Sequence, residues 1–147
     1  MKSPTAIAAK PPTASATRGR LLLIEGDAGV ARGIRASLER FGYSIVAWSV
    51  DPSEGALLAR ALRPHLVICA VFFDGDPLGI ESAREIQEET GTPVVLVGGS
   101  DEPLLALQLT MTQPAGFVTD PADSGYLVAV VEQAMRSAGR AVAGGPY

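Results

Sequence analysis

Histidine and cysteine are almost missing from this chain of 147 residues: each occurs once, as His65 and Cys69. A single cysteine excludes any disulfide within the chain and fits a reducing compartment. Cys69 lies inside an apolar run, where a thiol serves as a small buried hydrophobe. A single histidine leaves a catalytic dyad without a second member, and His65 reads as a turn residue ahead of a strand. Long apolar runs are missing too: no stretch nears the roughly 18 residues of a membrane span. Positive charge is in deficit, with 12 Lys and Arg against 16 Asp and Glu and a net charge of −4. A free-standing nucleic-acid binder carries a basic face, so direct DNA or RNA binding is not expected.

What is present is a regular alternation framed by two patternless ends. Residues 1–19, MKSPTAIAAKPPTASATRG, are rich in Pro, Ala, Ser and Thr and lack the continuous apolar core of a secretory signal. They read as a disordered, mildly basic leader. Residues 138–147 read as a flexible tail, leaving one domain over 20–137. RLLLIE is a first strand. AGVARGIRASLERFG sets Val30, Ile34, Leu38 and Phe41 at helical spacing, with Gly42 to close the helix. YSIVAWSV is a second strand, with Trp48 near its end. Asp51 or Ser53 can cap the helix EGALLARALRP, which stops before Pro64. HLVICAVFF is a third strand, apolar on both faces as a central strand should be. IESAREIQEET is a helix, TPVVLVGG a fourth strand, and Asp101 a cap for the next helix with Pro103 in its first turn. AGFVTD and DSGYLVAVVEQAMRSAG close the series. Five strands alternating with five helices give an α/β fold, a doubly wound parallel sheet. In such sheets chemistry sits at the carboxyl ends of the strands.

Those strand ends resemble the receiver domain of bacterial response regulators. LLLIEGDAGVARGIRASLERFGYSIV is similar to the family's opening: an apolar strand, an acidic cluster, then a helix ending in Phe-Gly-Tyr. RPHLVICAV resembles the strand leading to the phospho-acceptor, GIESAREIQEETGTPVVLVGGS the helix and strand after it, and AGFVTDPAD the Gly-aromatic strand and Lys-Pro turn. The resemblance covers about residues 20–136. It implies a flavodoxin-like receiver fold, five parallel strands in the order 2-1-3-4-5 with five helices.

The family phosphorylates an aspartate, with Mg²⁺ held by an acidic pair and the phosphoryl oxygens met by a Ser or Thr and a Lys. Laid on this sequence, the first acid is Glu25. The second falls on Gly26, the acceptor on Ala70, the hydroxyl on Gly98 and the lysine on Asp120. Alanine cannot take a phosphoryl group, and Asp120 near Glu25 and Asp27 would repel one. The resemblance thus implies a degenerate, pseudo-receiver member without catalytic residues. It also implies an aromatic switch position at Phe117 and a cis bond at Asp120–Pro121.

Other readings compete with this one. Glu25, Asp27, Asp74, Asp76 and Asp120 are candidates for one acidic cluster. Glu25, Asp27 and Asp74 are the weak metal candidates, for Mg²⁺ or Ca²⁺, against the plainer reading of solvated acids and helix caps. A flavin site is not expected, because EGDAGV offers a phosphate two acids and no hydroxyl; no cofactor is expected at all. Ser100 is a conceivable nucleophile without a partner. Asp74-Gly75-Asp76-Pro77 is a turn signal.

The expected function is a phosphorylation-independent interaction module in two-component-type signalling, cytoplasmic and not an enzyme. Its partner would be a protein: a histidine kinase, another regulator, or a second copy through the face of helix 4, strand 5 and helix 5. Leu104, Leu105, Gln108, Phe117 and Tyr126 are the expected contact residues, with Leu107 and Met111 on the same helix. The few residues after the last helix suit a complete single-domain chain; the alternatives are the receiver part of a longer regulator with an output domain, or an acidic-edge cation binder.

Overall fold

The computed structural model describes residues 17–99 and 102–144. The leader residues 1–16 lie outside them. The strands are β1 (Arg20–Ile24), β2 (Ser44–Ser49), β3 (Leu66–Ala70), β4 (Val94–Val97) and β5 (Gly116–Val118). The helices are α1 (Ala28–Arg40), α2 (Pro52–Leu62), α3 (Leu78–Thr90), α4 (Pro103–Thr112) and α5 (Ser124–Gly144). All strands are parallel, in the order β2-β1-β3-β4-β5 expected from the sequence.

The two faces of the sheet follow from the two-residue period of a strand. Leu21, Leu23, Leu66, Ile68, Val95 and Val97 point to one face and meet α1 and α5 through Ile34, Leu38, Leu127 and Val131. Leu22, Ile24, Val67, Cys69 and Leu96 point to the other and meet α2, α3 and α4 through Ala59, Ala83, Ile86, Leu105 and Leu109. Strand β3 is buried along its whole length. Each such aliphatic side chain taken out of water stabilises the fold by about 1.5–3 kcal/mol before entropy is counted.

Local signals fix the helix ends. The Asp27 carboxylate accepts from Val30 N at the start of α1, and Asp51 accepts from Ser53 N at the start of α2. Glu102 caps α4 through Leu105 N, with Pro103 next to it. The expected cap, Asp101, lies outside the described residues. Phe41, the last residue of that helical spacing, is 46% exposed. It sits at the C-cap of α1, one step past the last helical turn, and Tyr43 is buried in its place. At the chain's start, Arg18 lies 5.0 Å from the Tyr43 ring centroid and bonds Glu132 at 2.9 Å. Structure therefore begins before residue 20. Helix α5 runs to Gly144, past the boundary at residue 137.

The tightest junction is between β3 and α3. Gly79 N donates to Val71 O, and a β-carbon on Gly79 would stand 1.7 Å from Ala70 O. That oxygen is backbone and cannot move aside cheaply. Replacing Gly79 with Ala should therefore destabilise the protein by about 3 kcal/mol or more. Gly33, in α1, has nothing within 4 Å of its β-carbon position. Gly33→Ala should stabilise by about 0.5–1 kcal/mol, because alanine is the better helix former and stiffens the unfolded chain. Urea midpoints of the two variants should move in opposite directions.

Candidate functional site

The carboxyl ends of β1 and β3 frame a cleft of about 480 Å³. Glu25 follows β1 directly. Its backbone N–H donates to Ser49 O and its carbonyl accepts the Trp48 indole N–H at 2.8 Å, so the residue is tied to β2. Trp48 is therefore half-buried at the sheet edge with its polar tip satisfied. Glu25 is only 7% exposed, and its carboxylate accepts from Asp27 N through Oε2 at 3.0 Å. Burial pushes its pKa up, the nearby Asp27 charge adds to this, and the amides of Asp27 and Gly26 pull the other way.

Strand β3 ends at Ala70, which is buried. The chain then makes a two-residue hairpin: Phe73 and Asp76 exchange backbone hydrogen bonds of 2.8 and 3.0 Å across Asp74 and Gly75. Both central residues have positive φ, 53° and 82°, which is why an Asp-Gly pair is found there. The hairpin brings Phe73 over Gly26, with its ring 3.4 Å from the point a β-carbon on Gly26 would take. Phe72, Phe73 and Val50 form the apolar wall of the cleft; Glu25, Asp27 and Asp74 supply its carboxylates. The Asp-Gly turn was readable from sequence, but not the direction in which it would aim the phenylalanines.

The remaining candidates separate. Gly98 ends β4 with φ of 113° and donates its N–H to Val118 O. Asp120 is exposed, and its carboxylate accepts from Ala122 N in its own turn, away from the cleft. The five acids therefore do not form one cluster: three line the cleft, and Asp76 and Asp120 do not. No group of three or more His, Cys, Asp and Glu among the described residues is arranged to hold a metal ion. The cis bond expected at Asp120–Pro121 is also corrected, since no cis peptide occurs among the described residues. The turn is closed instead by Asp120, whose carboxylate meets Ala122 N and whose carbonyl accepts from Asp123 N. His65 accepts Arg20 N–H through Nδ1 at 2.9 Å, a turn-holding role. Ser100 lies outside the described residues.

On α4, Leu104, Leu107, Gln108 and Met111 are exposed, with Leu104 at 68% and Met111 at 72%. Tyr126, at the start of α5, is exposed as well. Leu105 is a correction: it is buried among Leu96, Leu109 and Ile86, because it lies about 100° around the helix from Leu104 and so meets the core. Phe117 is half-buried and packs against the same core group.

No family model matches the chain. It is 27% identical over 132 residues to the transcriptional regulatory protein CseB of Streptomyces coelicolor, covering 88% of this chain and 54% of that protein. The Streptomyces avermitilis CseB is 27% identical over 129 residues, covering 86% and 53%. The chain spans about half the length of these curated relatives. Among solved structures, a LuxR-family two-component response regulator from an Aurantimonas species matches with a TM-score of 0.72 at 26% identity, covering 81% of this chain and 86% of that one. The receiver domain of a modulated diguanylate cyclase from Desulfovibrio desulfuricans matches with a TM-score of 0.75 at 21% identity, covering 82% and 95%, a likeness of fold.

The buried carboxylate has a measurable consequence. In the folded protein Glu25 holds its proton more tightly than its ordinary value of 4.5 allows. Its contribution to stability is then full below that value and is lost as pH rises through the folded pKa. Glu25→Gln removes the titration. Urea midpoints taken from pH 4.5 to neutral pH should fall less steeply in the variant than in the parent; equal slopes would mean that the carboxylate is not perturbed.

Proposed function

The chain belongs with the response-regulator receiver domains, and from that premise we propose that it works as a phosphorylation-independent pseudo-receiver, a protein–protein interaction module of bacterial two-component-type signalling. The observation that carries this reading is Ala70. The strand end that would present an acceptor carboxylate presents a buried methyl group, with the backbone of α3 packed against its carbonyl. The positions beside it agree. Gly26 has no carboxylate, Gly98 no hydroxyl, and Asp120, at the position the resemblance gives to lysine, offers no cation.

The working surface in this reading is the α4–β5–α5 face. Leu104, Leu107 and Met111 stand exposed on a helix that already buries Leu105 and Leu109. Apolar surface beyond what the core uses supports an interface. The partner is a histidine kinase, another regulator or a second copy of the chain. We read the protein as a binding module and not an enzyme: its one histidine is tied to Arg20, and its one thiol is buried, with a pKa pushed up to about 12 by desolvation. Among the described residues no helix is long and apolar enough to cross a membrane, in keeping with a cytoplasmic place. One observation favours a second reading. Because the curated relatives are about twice as long, this chain also suits the receiver part of a longer regulator with an output domain.

Two measurements test the proposal. Incubation with acetyl phosphate and Mg²⁺ should leave the intact mass unchanged, and a phosphoprotein labelled at any residue would sink it. The double variant Leu104→Glu, Met111→Glu should weaken self-association or binding of a purified partner by about 2 kcal/mol, with the melting temperature unchanged. Retention of every partner by that variant would place the interface elsewhere.

A further inference from the structure

We propose that the free edge of β2 is a self-association site, at which a second copy of this chain adds its own β2 antiparallel across a two-fold axis. The inference uses neither the α4 face nor the cleft, and it stands or falls apart from the interaction reading. Strand β2 is the outermost of the sheet and pairs only with β1. An edge strand turns a row of N–H and C=O groups outward, a ready template for another strand. Among the described residues, Ile45, Val46, Ala47 and Trp48 make no backbone hydrogen bond outside the ladder with β1.

The strand carries little of what keeps such edges apart. Its sequence, SIVAWS, holds no charge and no proline. The opposite edge, β5, is only three residues long, as a protected edge is, whereas β2 has six. One irregularity is present: the register with β1 passes from Ile45 to Ala47 and leaves Val46 without a partner. Val46 is half-buried and belongs to neither core group, so the interior does not use this β-branched side chain.

The flanks of the strand select a second copy as the occupant. Arg40 and Phe41 precede β2; Val50, Asp51 and Glu54 follow it. Phe41 and Val50 are 46% and 56% exposed, and neither belongs to a core group. Arg40, Asp51 and Glu54 are exposed, and none has an ion pair among the described residues. Glu39, beside Arg40, is taken by Arg35. One end of the edge is thus cationic and the other anionic, each with an uncovered apolar side chain. An antiparallel copy sets Arg40 and Phe41 beside Val50, Asp51 and Glu54 of the other chain, and the two-fold axis makes the match twice. A parallel copy would set Arg40 beside Arg40 and acid beside acid, which like charges oppose.

Sedimentation equilibrium of the full chain should show a monomer–dimer equilibrium, and the β2 amides should gain protection from hydrogen exchange as concentration rises. Both measurements are repeated on Leu104→Glu, Met111→Glu, which puts charge on the α4 surface; association through β2 persists there. Val46→Lys places a charge in the paired edge and should raise the dimer dissociation constant by about tenfold or more. Because Val46 serves neither core group, the melting temperature of the dilute variant should stay near that of the parent. Arg40→Glu, on the exposed end of α1, should weaken the dimer by about fivefold. Combining it with Glu54→Arg should recover most of that loss, which damage to the fold would not allow. A monomer at every concentration, β2 amides that stay unprotected in the dimer, a dimer lost in the α4 variant but kept in Val46→Lys, or unchanged association in both Val46→Lys and Arg40→Glu would overturn the proposal.

Discussion

The contact between the backbones of β3 and α3 governs the shape of this molecule's upper edge. Gly79 N is bonded to Val71 O, and there is no room for a side chain between the helix and the carbonyl of Ala70. Helix α3 is therefore pinned to the strand by its first turn. Few residues remain to join the two, so the chain must reverse at once, and it does so with the tight hairpin at Asp74-Gly75. The hairpin in turn fixes Phe73, whose ring can lie beside residue 26 because that residue is glycine. The cleft is thus a consequence of one glycine at the helix start, one at the hairpin and one after β1. None of the three contributes a functional group of its own.

Charge is sorted along the strand direction by the same logic. Asp27, Asp51, Glu102 and Asp123 accept backbone N–H groups at helix starts, and helix starts gather at the carboxyl ends of the strands. At the other end, the Arg20 guanidinium donates to the carbonyls of Leu62 and Arg63, where α2 finishes. Acid at the N-terminus of a helix and base at the C-terminus is what the helix dipole favours. Of the three acids in the cleft, capping accounts for Asp27. Glu25 caps no helix; it is buried, and its carboxylate accepts from Asp27 N.

Much of this was legible in the sequence. The apolar runs and the punctuation of Gly, Pro, Asp and Ser placed all five strands and five helices, because each run had its own period or its own stop. Strand β3 was recognisable as central because it is apolar on both faces. The orientation of α4 was not legible. PLLALQLTM is apolar around its circumference, so no period separates Leu105, which faces the core, from Leu104, which faces out. Only the packing of α4 against α3 and the core group around Ile86 and Leu96 decides it. Phe41 failed for a different reason: its spacing continues the helical stripe, but the helix ends one residue earlier. The cis bond at Asp120–Pro121 came from resemblance rather than from local chemistry, and this turn is closed by the aspartate that replaces the lysine.

In the pseudo-receiver reading proposed above, a phosphotransfer constellation could not be built here one residue at a time. At each of these positions the local structure depends on the residue present. Gly98 has φ of 113°, where a Ser or Thr would be strained. A carboxylate at residue 26 would have to share space with Phe73. Asp120 holds its loop through Ala122 N, a bond that a lysine, having only donors, could not make. An acid at Ala70 would enter a buried strand end with no cation among the residues lining the adjoining cleft. Restoring any one group costs a local interaction and gains nothing until the others are present.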